Sequence, residues 1–465
     1  MSPLPVVRSS PARVHGWGRT APALTELVRP TTVDEAVAVV RAAAGRPRGL
    51  TPRGLGRSYG DAAQNSGGTT VDLTGLDQIL ALDVGECDAA ASPTVRVEAG
   101  VSLDALMKAL LPFGLWVPVL PGTRQVTVGG AIGADVHGKN HHTQGSFGNH
   151  VRSLDLLTAD GEIRTVAPDG DDPDLFWATV GGMALTGLVL RATIVLQRVQ
   201  TAYFSVDTDR CHDVDDLMAR MTDGDSGYTY SVAWFDAVTR GTSKGRAVLT
   251  RGNKAALDAL PAKLRSEPLR FVAPSFGTVP DVFPNHLVNR LTGKVFSEFW
   301  FRKAPKHRVA EIQNITQFFH PLDIISDWNR GYGSNGFLQY QFVVPFAADQ
   351  TFRECLDLVV SSTHASCLNV LKRLGPANPS PLSFPTPGWT FTVDLPIEPG
   401  LAELCNRLDE LVLDVGGRIY LAKDSRVAAS TFASMYPRLD DFRAVRRRVD
   451  PSGAFTSDLA RRLDL

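Results

Sequence analysis

The chain has 465 residues, too many for one ordinary domain, and we expect two or three domains. Hydrophobic residues make up 43% of it and charged residues 21%, a globular composition that excludes a disordered or fibrous chain. The formal net charge of −1 excludes a global positive field, so we expect no nucleic-acid partner.

The cysteines and the apolar runs bear on whether the protein is disulfide-rich, zinc-binding, secreted or membrane-spanning. The cysteines are odd in number and scattered without a Cys-x-x-Cys pair, so we predict neither a disulfide framework nor a zinc ribbon. They are Cys87, Cys211, Cys355, Cys367 and Cys405. The first ten residues lack the apolar core of a signal peptide, and no run of about 18 apolar residues occurs. We therefore expect neither an export signal nor a transmembrane segment in this sequence.

The first 198 residues alternate between short regular elements and glycine-rich turns. Apolar spacing predicts a helix over 33–44 and a second helix after Val101, with Ser102 as its N-cap. Asp160-Gly161 is typical of a hairpin turn. The strands predicted in this part lie at 69–73, 94–99, 153–158 and 163–166.

The pattern of predicted secondary structure changes near residue 199. Longer strands are predicted at 228–235 and 337–345, and helices at 207–222 and 351–363. This mixture indicates an α+β domain. The segment 269–304 stands apart because prolines and glycines interrupt a run of aromatic residues. We interpret it either as a loop packed on the domain or as a flap that covers an apolar substrate or touches a membrane surface.

Two glycine-rich stretches, 51–61 and 126–138, carry the strongest functional signal. Glycine lets a ligand approach the backbone, and successive N–H groups in such turns bind anions. Gly54, Gly56 and Gly60 do not fit the G-x-G-x-x-G fingerprint, and no Gly-Lys-Ser/Thr follows them. Two such loops in one chain nevertheless predict a dinucleotide cofactor, and we interpret the protein as a flavoenzyme.

The cofactor-binding candidates belong to these loops or to segments expected beside them. They are Arg53, Gly54, Leu55, Gly56, Arg57, Ser58, Tyr59, Gly60, Asp61, Gly122, Thr127, Val128, Gly129, Gly130, Ala134, Asp135, Val136, His137, Val189 and Tyr420. His137 and His141 have the spacing of two metal ligands on a helix, but glycines surround them and no carboxylate follows. We therefore predict no metal and assign His137 to flavin or substrate.

Polar residues within apolar strands mark the expected substrate side. Gln339 and Gln341 share one face of a predicted strand, where unpaired amides would be costly. Lys423 shares an apolar strand face with Ile419 and Leu421 in the segment 418–426. If buried there, its amine would have a lowered pKa and could act as a general base or stabilise an alkoxide. Lys139 beside His137 could pair with a substrate phosphate.

The order of these motifs over residues 20–198 resembles the FAD-binding domain of the vanillyl-alcohol oxidase / p-cresol methylhydroxylase superfamily. The resemblance implies a two-domain FAD-linked oxidase fold. Its bounds would be 1–198 for the FAD-binding domain, 199–417 for an antiparallel-sheet substrate domain, and 418–465 for a return to the first domain. Several members attach the flavin to a histidine in the first loop. The corresponding stretch here is Gly-Arg-Ser-Tyr, so we predict non-covalent FAD.

Further motifs, among them 336–342, 384–389 and 422–426, make the chain similar to the actinobacterial decaprenylphosphoryl-β-D-ribose 2′-oxidase family. The resemblance implies oxidation of the ribose C2′ hydroxyl to a ketone, the first half of an epimerisation that supplies arabinose for the cell wall. An NADH-dependent keto-sugar reductase would be the partner. A polyprenyl-phosphate sugar would be the substrate, and the location would be the cell envelope, periplasmic or in peripheral contact with a membrane.

The same resemblance assigns roles to single residues. It implies Lys423, Tyr59 and His137 as catalytic residues. The implied substrate-binding residues are Lys139, Gln339, Gln341, Lys372, Thr392 and Lys423. Thr392 stands where mycobacterial members have the cysteine that nitroaromatic inhibitors modify, so we expect no stable covalent adduct. A second departure is Gly181-Gly-Met-Ala184, where relatives carry Gly-Asn-Gly.

Two other functions remain open at this stage. One is an aldonolactone or alditol oxidase of the same superfamily, which would use O₂ on a free sugar. The other is a protein that binds a polyprenyl-phosphate sugar without turnover, in which Lys423 would be structural.

Overall fold

The computed structural model describes residues 7–43, 45–85 and 92–465. Ala44, the last residue of the first predicted helix, and Cys87 lie outside these ranges. The strands within them are β1 (Ser9–Val14), β2 (Ala23–Val28), β3 (Leu50–Arg53), β4 (Thr69–Asp72), β5 (Ile79–Asp83), β6 (Thr94–Glu98), β7 (Leu115–Trp116), β8 (Val151–Leu157), β9 (Ile163–Val166), β10 (Leu188–Val195), β11 (Gln197–Arg198), β12 (Tyr203–Cys211), β13 (Tyr230–Phe235), β14 (Ala247–Lys254), β15 (His307–Asn314), β16 (Phe337–Val344), β17 (Asn369–Leu374), β18 (Gly388–Pro396) and β19 (Arg418–Ile419).

The helices are distributed along the whole chain. They are α1 (Val33–Ala43), α2 (Leu103–Leu110), α3 (Val128–Gly133), α4 (His141–Gln144), α5 (Pro173–Thr179), α6 (Val214–Gly224), α7 (Ala262–Arg265), α8 (Arg290–Lys303), α9 (Ile315–Phe319), α10 (Asp349–Ser361), α11 (Leu401–Asp414), α12 (Ala429–Met435), α13 (Leu439–Val449) and α14 (Asp458–Leu463).

Two large sheets, beside the small two-stranded sheet β11-β7, build the described part of the chain before β12. The first has the order β1-β2-β4-β3, with parallel pairing of β4 to β2 and β3. The second is antiparallel with the order β5-β6-β10-β8-β9. Both glycine-rich loops leave this region, the first directly after β3 and the second around α3.

The later part is dominated by an eight-stranded antiparallel sheet of order β15-β12-β14-β13-β17-β18-β16-β19. Its central strands β16 and β18 are buried along their whole length, so their polar side chains must find partners inside the protein. In the register of this pair, Gln339 lies opposite Asp394 and Gln341 opposite Thr392. These four side chains supply the polar part of the candidate site.

The last 48 residues connect the large sheet back to the first one. β19 pairs with β16, and Leu50 of β3 then exchanges backbone hydrogen bonds with Ala454 and Thr456. α14 follows, and its Arg462 forms a bidentate ion pair with Asp61 of the first loop, both distances being 2.8 Å. The first glycine loop is thereby held by residues from the opposite part of the sequence.

Most predicted elements are confirmed, including the α+β class, the hairpin turn at Gly161 and the N-cap at Ser102, whose hydroxyl accepts from the Ala105 amide. Gln339 and Gln341 lie on one strand as expected. The two-domain FAD-linked oxidase fold is also confirmed, while its proposed domain bounds stay a prediction.

Three predictions were wrong. The helix at 207–222 begins only at Val214, because residues 203–211 alternate between buried and half-buried positions and form β12. The strand at 418–426 ends at Ile419, and Lys423 lies in a turn closed by its own amide on the Tyr420 carbonyl. The segment 269–304 is irregular only in its first part, since α8 occupies 290–303. Within the described ranges, no helix is both long and apolar enough to cross a bilayer.

Candidate active site

The first glycine loop has free backbone donors. Within the described part of the chain, the N–H groups of residues 54–58 donate to no protein acceptor. A Cβ on Gly54 would lie 2.2 Å from the Thr127 hydroxyl, and Gly56 has a φ of +65° that favours glycine. Five consecutive unpaired amides beside a second glycine-rich segment form a suitable cradle for a diphosphate.

Two side chains of this loop are committed to the protein itself. Arg53 donates to the carbonyls of His15 and Ala63, and Asp61 accepts from Arg462. Any cofactor contact at these positions must therefore run through the backbone. The Arg57 guanidinium lies 3.8 Å from the centre of the Trp17 ring, and burial lowers its pKa.

The second loop is built around α3, which Thr127 caps through the Gly130 amide at 3.1 Å. Behind it, buried Asp135 accepts from the Gly148 amide, Asn378 and Ser383, in a left-handed backbone conformation. The Tyr420 hydroxyl donates to the Ala134 carbonyl at 2.8 Å. These bonds fix the second loop against the large sheet.

Lys423 occupies the point where the two loops approach the sheet. Its Nζ lies 3.7 Å from the centre of the Tyr59 ring, and the Tyr59 amide donates to the Ala422 carbonyl. Burial lowers the pKa of Lys423 to about 7, opposed by Asp394 and assisted by Lys372. An amine with that pKa is partly neutral near neutral pH and can accept a proton.

Asp394 is the acidic partner of this amine. Its carboxylate is buried and accepts from Gln339 Nε2 at 2.5 Å, while Oδ2 has no hydrogen-bond partner among the described residues. Burial raises the pKa of Asp394 to about 7, against the hydrogen bond from Gln339 and the charge of Lys423. Sequence reasoning missed Asp394, although it lies two residues after Thr392 on the same strand, β18.

His137 faces the same chamber from the second loop. Its Nε2 lies 3.0 Å from Gln341 Nε2, and Gln341 also donates to the Thr390 hydroxyl. In this arrangement His137 Nε2 accepts and the ring proton is on Nδ1, which has no acceptor among the described residues. Burial lowers the pKa of His137 well below its ordinary value, so the ring is a neutral donor.

Two further lysines make the neighbouring pocket basic. Lys139 donates to the Phe318 carbonyl and lies 4.8 Å from the Phe318 ring centre, and burial lowers its pKa to about 7. Lys372 lies on β17, opposite Thr390 of β18, and burial lowers its pKa to about 8. Buried amines that repel one another in this way favour an anionic ligand.

The remaining predicted residues fall into three groups. Leu55, Gly122 and Gly130 are exposed, and Ser58 and Gly129 half-buried, along the two loops. Gly60 packs against the Asp424 carbonyl, and Val128, Val136 and Val189 are buried in the first region's core. Thr392 is nearly buried beside Gln341. Trp17, Trp328 and Tyr332, which sequence reasoning did not find, complete the aromatic wall around Phe337 and Tyr59.

The histidine near the second loop that was weighed as a metal ligand, His141, forms hydrogen bonds within the protein. His141 accepts from the Gly375 amide through Nδ1, and its Nε2 lies 3.3 Å from the Ser146 hydroxyl. In the described residues, no group of three or more His, Cys, Asp or Glu side chains is arranged to hold a metal ion. Cys211, Cys355, Cys367 and Cys405 are free thiols.

Comparison with known proteins agrees with this geometry. The family model of the FAD binding domain matches residues 25–167, and that of D-arabinono-1,4-lactone oxidase matches residues 392–463. Decaprenylphosphoryl-beta-D-ribose oxidase of Mycolicibacterium smegmatis is 55% identical over 455 residues, which cover 97% of each chain. The chain belongs to the decaprenylphosphoryl-β-D-ribose oxidase family. It is an FAD-dependent oxidoreductase, and the free amides of the first loop fit this cofactor.

More distant relatives mark the wider superfamily. L-gulono-1,4-lactone dehydrogenase of Mycobacterium tuberculosis is 22% identical over 463 residues, 98% of this chain and 99% of that protein. The solved structure of Physcomitrella patens BBE-like 1 aligns with a TM-score of 0.65 at 18% identity, covering 93% of this chain and 90% of its own. This structural likeness establishes a shared fold.

Proposed function

We propose that the protein oxidises the C2′ hydroxyl of decaprenylphosphoryl-β-D-ribose to the 2′-keto sugar. The observation that carries the proposal is the Lys423 amine, held with a pKa near 7 between the cofactor loops and the polar face of β16 and β18. The substrate is taken from the name of the relative that is 55% identical to this chain.

In this reaction the hydroxyl proton and the C2′ hydride must both leave the sugar. Bound FAD supplies the acceptor for the hydride. Lys423 in its neutral form accepts the hydroxyl proton, and the Asp394 carboxylate stabilises the ammonium ion that results. His137 Nδ1–H is placed to orient a sugar hydroxyl, since a buried donor without a partner among the described residues favours a ligand that accepts. Gln339 and Gln341 line the same polar face through the bonds that hold Asp394 and His137.

The lysines beyond the sugar would hold the phosphate. The charge of Lys372 helps to lower the pKa of Lys139, and an anion between the two amines would offset the cost of burying them. The aromatic wall of Trp17, Trp328 and Tyr332 packs around Phe337, which contacts Tyr59 beside Lys423. A phosphate held at one end fixes the distance of the ribose from Lys423.

The biological setting belongs to the same proposal. The family resemblance supports a place in the cell envelope, periplasmic in an actinobacterium, and a role in arabinan and cell-wall biosynthesis. An NADH-dependent reductase would return the ketone to an alcohol of inverted configuration, completing the epimerase. FAD would be bound without a covalent link, because the first loop has no histidine or cysteine.

The test is an anaerobic titration of the purified flavoprotein with a short-chain polyprenylphosphoryl ribose. Bleaching of the flavin absorbance together with a ketone product of the expected mass would support the proposal. Acid precipitation of the protein should release all flavin into the supernatant. Flavin that stayed with the pellet would contradict the non-covalent assignment alone.

A lactone or alditol oxidase is the second candidate, favoured by the match of residues 392–463 to the D-arabinono-1,4-lactone oxidase model. Bleaching by free sugars or lactones but not by the polyprenyl phosphate would transfer the assignment to this candidate. Persistence of the flavin band with every substrate, despite tight binding of the lipid-linked sugar, would indicate a binding protein without turnover.

A further inference from the structure

Helix α8 exposes a stripe of large apolar side chains. Leu291, Val295 and Phe299 follow one another at the i, i+4 spacing and are 73%, 63% and 61% exposed. The inward face holds the buried Gly293 and Ser297 and the half-buried Phe296 and Trp300, whose rings stack on each other. Because the helix packs on the protein through this other face, the exposed stripe is suited to an external apolar phase.

The same helix is basic. Its basic residues are Arg290, Lys294, Arg302 and Lys303, and its one acidic residue is Glu298. Glu298 forms ion pairs with Arg246 and Arg302. Lys294 and Lys303 are exposed and enter no ion pair within the described residues. The whole chain has a formal net charge of −1, so this concentration of positive charge is local to the helix and its apolar stripe.

The segment that precedes the stripe in sequence is connected to the wall of the candidate active site. Before α8, exposed Phe276 and Val282 lie on a segment whose Phe276 amide donates to the Ile324 carbonyl and whose Thr278 bridges Ser326. The chain then reaches Tyr332, whose ring stacks on Phe337 at 4.2 Å. Phe337 in turn meets Tyr59 edge-on at 5.6 Å, and Tyr59 lies under Lys423.

From these contacts we infer that α8 and residues 276–283 form a docking surface for an anionic lipid bilayer. Exposed aromatic and aliphatic side chains flanked by unpaired lysines are the composition of helices that lie in a membrane interface. The inference rests on the proposed function in one respect: a lipid-linked sugar could pass from the bilayer along this surface to Lys423 without its chain crossing water. Binding to lipid can be measured without turnover.

The experiment is sedimentation of the FAD-loaded protein with vesicles of phosphatidylcholine alone or mixed with phosphatidylglycerol. We expect binding to the mixed vesicles, and a loss of roughly tenfold in partitioning for the triple variant Leu291→Ser, Val295→Ser, Phe299→Ser. The pair Lys294→Gln, Lys303→Gln should reduce binding to mixed vesicles and remove its salt dependence. Turnover of a short-chain substrate in solution should be unchanged in both variants.

The matched control replaces apolar residues of similar exposure elsewhere, Leu24→Ser and Phe113→Ser, and should bind mixed vesicles as the parent does. Equal binding by the parent and the triple variant would overturn the inference, as would absence of binding to both vesicles. Concentration-dependent self-association that the triple variant abolishes, without vesicle binding, would show that a second copy covers the stripe instead.

Discussion

At the scale of single residues, Lys423 gives the sharpest prediction. Only its neutral form accepts a proton, and its pKa is lowered from 10.5 to about 7, so the rate of flavin reduction should rise as the pH increases through that value. Lys423→Met should lower this rate by about 10²- to 10⁴-fold and abolish the pH dependence, with normal FAD content. Stopped-flow absorbance under anaerobic conditions measures it. An unchanged rate would make Lys423 a structural residue.

Asp394 acts on the same pH profile in a predictable direction. Its carboxylate raises the pKa of Lys423, so Asp394→Asn should lower that pKa further and move the rising limb toward acid, by roughly one pH unit. Asp409→Asn is a suitable control, because Asp409 is also buried but bonds to Tyr340 and Arg426 away from the chamber. A profile that stayed in place in both variants would refute the coupling.

The two residues also show what the sequence could and could not predict. Lys423 and the glutamines attract notice because polar residues are rare among apolar neighbours in a strand. Asp394 lies near the end of β18, and an acid is ordinarily exposed. Its burial depends on the register that places it opposite Gln339, and pairing register between strands 55 residues apart is not readable from either strand alone.

At the scale of elements, the contact between the two glycine loops can be tested at Gly54. A side chain there must displace Thr127, whose hydroxyl also accepts the hydrogen bond that caps α3. Moving Thr127 to relieve the clash would therefore break the N-terminal cap of α3. Gly54→Val should reduce the FAD retained after gel filtration by about tenfold or more. Gly227→Val is the control, since no atom lies within 4 Å of a Cβ at that position. Equal FAD content in both variants would contradict the cradle.

Elements with clear periodicity were predicted well, and those decided by distant packing were not. Residues 207–211 were predicted as helix, although 203–211 alternate between half-buried and buried positions in β12, and the helix begins after Asp213, whose side chain accepts from the Asp216 amide. The turn at Lys423 follows β19 at Tyr420, whose amide still donates to Gln341 of β16 while its hydroxyl donates to the Ala134 carbonyl in the second loop. That bond joins separate parts of the chain, and local propensity carries no information about it.

At the scale of the whole molecule, Arg462 connects three segments. It pairs with Asp61 in the first loop and with Asp424 beside Lys423, and donates to the Val427 carbonyl, all at 2.8 Å. Arg462→Met leaves two mostly buried carboxylates without their cation, and should lower the free energy of unfolding by about 3 kcal/mol. Urea denaturation of the FAD-loaded protein measures the change.

The neighbouring Arg461 provides the control for this experiment. It forms a partly exposed pair with Asp458 one turn away on α14 and a long hydrogen bond of 3.5 Å to the Thr456 hydroxyl, so Arg461→Met should cost less than about 1 kcal/mol. Equal losses in the two variants would show that the C-terminal helix, and not the ion-pair connection, determines the stability.

The connection between Asp61 and Arg462 spans 401 positions of sequence. The first loop is synthesised well before α14, so the ion pair that holds it can form only once Arg462 has been translated. A polypeptide that stops before residue 462 lacks this pair, and we expect its first glycine loop to be held less firmly.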